Sequence, residues 1–347
     1  MAGGRGTRFW PSSTAAKPKQ FLPLLSQQSL LQETYARFAR WLPASQIYVA
    51  TIQAYVEHVA VQLPELPPEQ LIIEPEARDT GPCMALTALF FLHKKQDDVL
   101  VMIPSDQYIT DNESLWEALE HAHAAASVGH STIMLGIHPT RPETGYGYIR
   151  TEDDAEHSIL RPVSAFIEKP AIDVAIQLLQ SDNIYWNSGI FVWRPSTIAY
   201  LMEAHCPLIW QPLNMHYPHI DAIYSKLPQL SVDYAVIEKA EHLWVIPIQF
   251  EWDDVGTWNA VKRRYAGACD GNLLKGPIRV QKAHNNIIFS NKTAVIIGVD
   301  DLIIVSTDDG VLVCHRSEEH RIKEMIQEQL RHPIDEQHAD EEVRPTT

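Results

Sequence analysis

The first eight residues, MAGGRGTR, place Gly3, Gly4 and Gly6 directly before Thr7 and Arg8. Glycine tolerates positive φ and lets backbone N–H groups converge on an anion as a nest. Thr7 adds a hydroxyl and Arg8 a rigid fork of donors. The glycines alone suit a flexible N-terminus equally well. Within a dozen residues, KPKQF supplies Lys17 and Lys19, whose ammonium groups could reach phosphate oxygens held by such a loop. Taken singly, each is an ordinary surface lysine. Further along, Asp106 follows the apolar run VLVMIPS, which puts it at a strand's carboxyl end, where a βα loop opens toward ligand. A helix cap or a turn accounts for it equally well from spacing alone.

The totals narrow what these groups could serve. A net charge of −16 with His neutral argues against an extended nucleic-acid groove, which needs clustered Lys and Arg. The longest apolar runs, Met84–Leu92 and Ala294–Val299, fall short of the roughly 18 to 20 residues that cross a bilayer. No membrane span is expected, and with no signal-like N-terminus a cytoplasmic location is. Cys83, Cys206, Cys269 and Cys314 form no CxxC pair and read as reduced thiols. No HExxH spacing occurs among the 16 His, so no zinc site is expected.

Elements able to position the polar groups follow from periodicity. Helical spacing over Ser29–Leu42 precedes the strand-like IYVAT, and the alternation continues through Gln53–Gln62, LIIE, Thr80–Lys95, VLVMIP, Glu113–Ala126 and TIMLGI. Such alternation predicts an α/β fold with a Rossmann-like, mostly parallel sheet covered on both faces. After Ile137 the segments GYGYIR, AFIEKP and NSGIFVW read as strands and turns of a substrate-shaping insertion, with a helix over Ala171–Gln180. Helical stretches are expected over Pro195–Tyr224 and Asp233–Ala240 before LWVIPI and WDDVGTW. From Asn286 short turn-punctuated strands suggest a small β-rich unit, closed by a helix over Ser317–Leu330. The ranges expected are a domain over 1–268, a small β-rich domain over 269–330, and a disordered acidic tail over 331–347.

GGRGTRFWP with KPKQF resembles the signature of the sugar nucleotidyltransferases, and specifically the mannose-1-phosphate guanylyltransferase (GDP-mannose pyrophosphorylase) family. EPEARDTGP at Glu74, IPSDQYI at Ile103, ETGYGYI at Glu143, FIEKP at Phe166, WNSGIFVW at Trp186 and WDDVGTW at Trp252 are similar to that family's later motifs, in order. The resemblance runs to about residue 315. It implies attack of a mannose 1-phosphate oxygen on the α-phosphorus of GTP, expelling pyrophosphate. Arg8 and Lys19 would hold the triphosphate, and Asp106 and Asp254 would bind Mg²⁺, a cation that takes one or two carboxylates with phosphate oxygens and water. Asp254 is chosen over Asp253 because it directly precedes Val-Gly, as in the family motif.

The same resemblance assigns Gly3, Gly4, Gly6 and Thr7 to the phosphates, and Asp79, Thr80 and Pro82 to the purine. The family usually carries Asn where this chain has Asp79, which accepts from guanine but cannot donate to its O6. A helix N-cap is the other reading of Asp79. Gly145 would let the sugar ring approach, with Glu168, Lys169 and Asn187 as hydroxyl and phosphate partners; strand-end surface charges are the alternative for Glu168 and Lys169. Tyr146, Tyr148 and Trp186 read as packing residues. The resemblance also implies that the C-terminal unit is a small left-handed β-helix-like module serving a homodimer. It implies, too, an interior first strand upstream of the glycine loop, and Met1 is expected to match that strand's last residue. The other functions open are a sister activity on another nucleotide or sugar phosphate, and a catalytically silent nucleotide-sugar-binding regulator. A fused phosphomannose isomerase is disfavoured, since about 80 residues follow Ala268 and a further domain needs roughly 100.

Overall fold

The computed structural model describes residues 1–4, 6–152, 158–265 and 271–331. Contacts divide the chain into two compact units, Met1–Gly4 with Gln28–Asp254, and Arg5–Gln27 with Val255–Thr347. The sequence-based range 1–268 cuts across this division. Its boundary at 268, Cys269, and the expected tail from 332 onward lie outside the described residues.

In the first unit, α1 (Leu30–Phe38), β1 (Val49–Ile52), α2 (Val56–Gln62), β2 (Leu71–Glu74), α3 (Thr80–His93), β3 (Leu100–Met102), β4 (Tyr108–Ile109), α4 (Asn112–Ala126) and β5 (Thr132–Ile137) keep the expected alternation. There follow β6 (Tyr148–Thr151), β7 (Arg161–Ile167), α5 (Ile172–Leu178), β8 (Ile184–Trp193), α6 (Pro195–His205), α7 (Pro207–His216) and α8 (Asp221–Tyr224). A π-helical turn (Asp233–Ile237), β9 (Leu243–Ile248) and β10 (Trp252–Asp253) complete it. The helical stretch expected over Pro195–Tyr224 is made of three helices. Pro207 starts α7 at its first turn, where a missing N–H costs nothing. Local chemistry fixes the helix starts: Ser29 and Gln32 form a reciprocal capping box on α1, and Asp111 caps α4 through Ser114 N.

Six strands pair in the order β3-β8-β5-β9-β7-β6, with β1 and β2 forming a separate parallel pair. Within the six, β5·β9 is parallel, whereas β8 runs antiparallel to β3, β5 and β6, and β7 to β6 and β9. The α/β layering is as expected and the sheet is mixed. Periodicity separates helix from strand but carries no strand direction. After β5 the chain detours through β6 and β7, and β8 re-enters between β3 and β5 from the opposite end. Alternation along β5 sends Ile133 and Leu135 toward Leu115 and Leu119 of α4, and Met134 toward Met84, Leu89 and Ile198 on the other face. Helix α3 is buried almost all round, as its run of apolar residues requires. Met1 and Ala2 lie between two strands: Ala2 N donates to Ala50 O (2.7 Å), the Met1 ammonium to Ile103 O (2.8 Å), and Ser105 N to Met1 O (3.1 Å).

The second unit holds α9 (Trp258–Arg264), β11 (Leu273–Lys275), β12 (Ile278–Gln281), β13 (Ile287–Ser290), β14 (Ala294–Ile297), β15 (Leu302–Thr307), β16 (Gly310–His315) and α10 (Ile322–Arg331). β11, β13 and β15 stack in parallel, as do β12 and β14, and β16 closes the first stack antiparallel. Ile278 pairs with Ala294 and Ile287 with Ile303, so these coils advance 16 residues. Buried asparagines satisfy the turns: Asn286 N donates to Asn272 Oδ1 (2.9 Å) and Leu302 N to Asn286 Oδ1 (2.9 Å). The N-terminal segment packs into this unit. Phe9 meets Trp258 edge-on at 5.0 Å, Trp258 meets Phe289 at 4.9 Å, and Tyr265 donates to Leu24 O at 2.7 Å.

Candidate active site

The sequence-derived candidates divide between the two units. In the first, β10 pairs antiparallel with β4, Asp253 opposite Tyr108. Asp254 directly follows β10 and Asp106 lies two residues before β4, so the antiparallel pairing puts both at the same end of this ladder. The neighbours of Asp106 are locked: Ser105 O accepts from Thr34 Oγ1 (3.2 Å), and Gln107 donates to Ser188 O while its Oε1 accepts from Trp252 Nε1 (3.1 Å). Asp106 is half-buried in a turn, and the cap of α4 is Asp111. Asp253 is 1% exposed, whereas Asp254 is half-buried and accepts from the Tyr146 hydroxyl at 2.7 Å.

Tyr146, read from the sequence as packing, packs and also bonds. Its ring meets Trp186 and Trp252 edge-on, each at 5.2 Å, and Arg141 donates to its hydroxyl at 3.3 Å while pairing with Glu143 at 3.1 Å. Burial first, then the charges of Asp254 and Asp253, push the phenol's pKa far up, so it stays a donor. Among the described residues no group of three or more His, Cys, Asp or Glu could hold a metal. Two hard carboxylates completed by substrate oxygens and water fit magnesium and no metal that needs a protein cage.

A second polar cluster forms where three strands meet. The registers Tyr148 with Ile167 and Tyr148 with Trp186 set Gly147 between Glu168 and Asn187, and Asn187 N donates to Gly147 O at 2.8 Å. A Cβ on Gly147 would stand 2.5 Å from Glu168 Oε2, so the carboxylate occupies the space that glycine leaves. Gly145 is exposed, and a Cβ there would meet Glu143 Oε1 at 3.3 Å. The Glu168 side chain is 3% exposed and ion-paired with Lys169, which is 51% exposed and sits at φ 44. Asp233 on the π-helical turn joins this cluster by accepting from Asn187 Nδ2 at 2.9 Å. Its carboxyl is pushed up to about 7, by burial and then by Glu168. The sequence placed Asp233 at a helix start, where an acidic cap is the ordinary reading, and so gave no signal for it.

The RDTGP segment is clamped from the far side. Asp79 is exposed, caps α3 by accepting from Thr80 N (2.8 Å), and holds φ 70, ψ −177. Such backbone is nearly confined to glycine and costs a residue like Asp about 1 to 3 kcal/mol. Ties around it hold the strain: Gly81 N donates to Leu230 O (3.0 Å), Val232 N to Thr80 Oγ1 (2.9 Å), and Arg78 to Leu227 O (3.4 Å) and Ser225 O. Pro82 is buried in the helix's first turn. Glu74 beneath is buried, accepts from Tyr224 at 2.6 Å, and is pushed up to about 7, chiefly by burial.

In the second unit Gly6 adopts φ 58 and starts a short 3₁₀ turn, Thr7–Phe9, that leaves Arg8 exposed. A Cβ on Gly6 would lie 2.3 Å from Lys19 Cβ, so this glycine permits the two segments to touch. Lys19 is 5% exposed, its ammonium 5.8 Å above the Phe9 ring, and Lys17 is exposed. Gly3 and Gly4 belong to the first unit; a Cβ on Gly3 would lie 3.3 Å from Glu74 Oε1, and one on Gly4 would meet nothing within 4 Å.

Residues 1–267 match the nucleotidyl transferase family model, and residues 279–329 the MannoseP isomerase/GMP-like beta-helix domain. The chain belongs to the nucleotidyl transferase family. Its relatives include the alginate biosynthesis protein AlgA of Pseudomonas aeruginosa, 31% identical over 342 residues that cover 94% of this chain and 71% of AlgA. A mannose-1-phosphate guanylyltransferase of Sinorhizobium fredii is 32% identical over 340 residues, covering 94% of this chain and 66% of its own. The crystal structure of a protein described as mannose-1-phosphate geranyltransferase from Thermus thermophilus superposes with a TM-score of 0.85 at 32% identity, covering 95% of this chain and 98% of that one. This nucleotidyltransferase has no helix, among its described residues, long and apolar enough to cross a membrane.

Proposed function

We propose that this nucleotidyltransferase moves GMP from GTP to mannose 1-phosphate, giving GDP-mannose and pyrophosphate. Support comes from the guanylyltransferase name of the Sinorhizobium relative. The observation that carries the reading is one compact unit presenting two different polar clusters. One is a carboxylate pair set by the β4·β10 ladder; the other is Glu168, Lys169 and Asn187 around Gly147. A reaction joining two phosphates needs charge neutralisation at one place and hydroxyl and phosphate recognition at another.

A sugar phosphate oxygen attacks the α-phosphorus in line, the new O–P bond forming as the bond to pyrophosphate breaks. No side-chain nucleophile is involved. Asp106 and Asp254 would hold magnesium, which when bound neutralises phosphate charge. Tyr146 keeps Asp254 in one orientation. Lys169 pairs with the sugar phosphate and Glu168 accepts from sugar hydroxyls. Arg8 and Lys19 bind the triphosphate, the donor fork of Arg8 following the charge that passes to the leaving pyrophosphate. Asp79, with backbone around Thr80 and Pro82, accepts from the N1–H and N2–H₂ edge of guanine.

Pyrophosphate release measured across GTP, ATP, UTP and dTTP, each with mannose 1-phosphate or glucose 1-phosphate and with or without Mg²⁺, tests the assignment. GTP with mannose 1-phosphate and Mg²⁺ is expected to be fastest. Preference for UTP or dTTP contradicts the guanylyl assignment, and activity indifferent to EDTA contradicts the metal.

A further inference from the structure

Asn187 is held from both ends. Its Oδ1 accepts from Gly189 N at 3.0 Å, a contact that Gly189 makes possible by adopting φ 72. Its Nδ2 donates to Asp233 Oδ1 at 2.9 Å. A backbone N–H on one edge and a carboxylate on the other leave the amide a single satisfied orientation. Asp233 is itself fixed. It begins a π-helical turn whose approach is pinned by Val232 N on Thr80 Oγ1 and Gly81 N on Leu230 O. Irregular turns of this kind are scarce and concentrate at functional positions.

Asp233 also acts on Lys169. Burial works against that ammonium, yet Glu168 and then Asp233 hold its pKa above the ordinary lysine value. The ion pair itself is made with Glu168, and the hydrogen-bond partner of Asp233 is Asn187.

We propose that Asp233 is a positioning residue for the sugar 1-phosphate: it fixes the Asn187 amide in its ligand-ready orientation. This rests on the assignment of Glu168, Lys169 and Asn187 to the sugar phosphate. The nucleotide end of the reaction does not depend on the Asn187 amide, so losing Asp233 acts on one substrate and spares the other. A mere packing role would weaken both, through the fold.

The test compares full-length wild type, Asp233→Ala and Asp233→Asn by steady-state kinetics in both substrates, with thermal midpoints recorded. Losing the acceptor of a half-buried amide is expected to raise the KM for mannose 1-phosphate by about ten-fold in Asp233→Ala, with the KM for GTP within about two-fold of wild type. Asp233→Asn keeps an oxygen for Asn187 Nδ2 and is expected to recover most of the loss. Equal rises in both KM values, no rise in either, or no recovery in Asp233→Asn overturns the proposal while leaving the transferase reading intact. Should Asp233→Ala fail to fold, the split is read from Asp233→Leu against Asp233→Asn. A wild-type protein that couples no nucleoside triphosphate to any sugar 1-phosphate overturns the transferase reading and this proposal together.

Discussion

Of the adjacent pair Asp253 and Asp254, the second is the more exposed. Asp253 on β10 is 1% exposed, and Asp254 accepts from Tyr146. The motif position before Val-Gly is the ground for choosing Asp254, and the two carboxylates differ in burial. Tyr146 illustrates what a sequence conceals. Its apolar ring and its neighbours in ETGYGYI predicted packing, and only the fold reveals that its hydroxyl reaches a residue more than a hundred positions away. Partners that orient a metal ligand commonly matter about ten-fold or more in metal affinity. Tyr146→Phe is therefore expected to raise the Mg²⁺ concentration giving half-maximal rate by about ten-fold, while stability falls by about 1 kcal/mol for the lost bond. A magnesium titration of the initial rate checks this, together with a melting curve. An unchanged magnesium requirement would remove Tyr146 from the orientation of Asp254.

Among the elements, those with a strong local cause were readable in advance. The helical spacing of α1, the apolar run of α3 and the short strands of the C-terminal coils all announce themselves by pattern. The π-helical turn at Asp233 did not, because its apolar spacing is that of an ordinary helix over so few residues. The packing of the N-terminal segment is not legible from continuity: residues 6–27 stand near the start of the chain, and they pack with the coils near the other end of the sequence. Trp10 lies against Gly310, where a Cβ would come within 2.7 Å of Trp10 Cζ2, and Thr307 Oγ1 donates to Pro11 O at 3.4 Å. A chain ended at residue 268, the range that continuity suggests, loses these partners. Limited trypsin digestion read by mass spectrometry is expected to cut such a chain after Lys19, a residue 5% exposed in the intact protein, and to spare that bond in full-length material. Equal protection of both would show that the coils do not hold the segment.

For the molecule as a whole, fold class and family were legible because seven short motifs keep their order along the chain. Each is a place where backbone or charge leaves little choice: glycine at Gly147 under a carboxylate, glycine at Gly6 against Lys19. Strand direction was not legible, since a buried strand such as β8 reads the same either way. The mixed sheet has a geometric result. Running antiparallel to both β5 and β6, β8 brings Asn187 beside Gly147 and Glu168, a meeting that an all-parallel order would not produce.

Transfer of a nucleotidyl group, as opposed to its hydrolysis, is the central claim. GTP labelled in its α-phosphate, incubated with the protein, mannose 1-phosphate and Mg²⁺, tests it most directly. The label is expected in GDP-mannose, in step with pyrophosphate release and with none attached to protein. Label recovered as GMP, as GDP, or on the protein would contradict direct transfer.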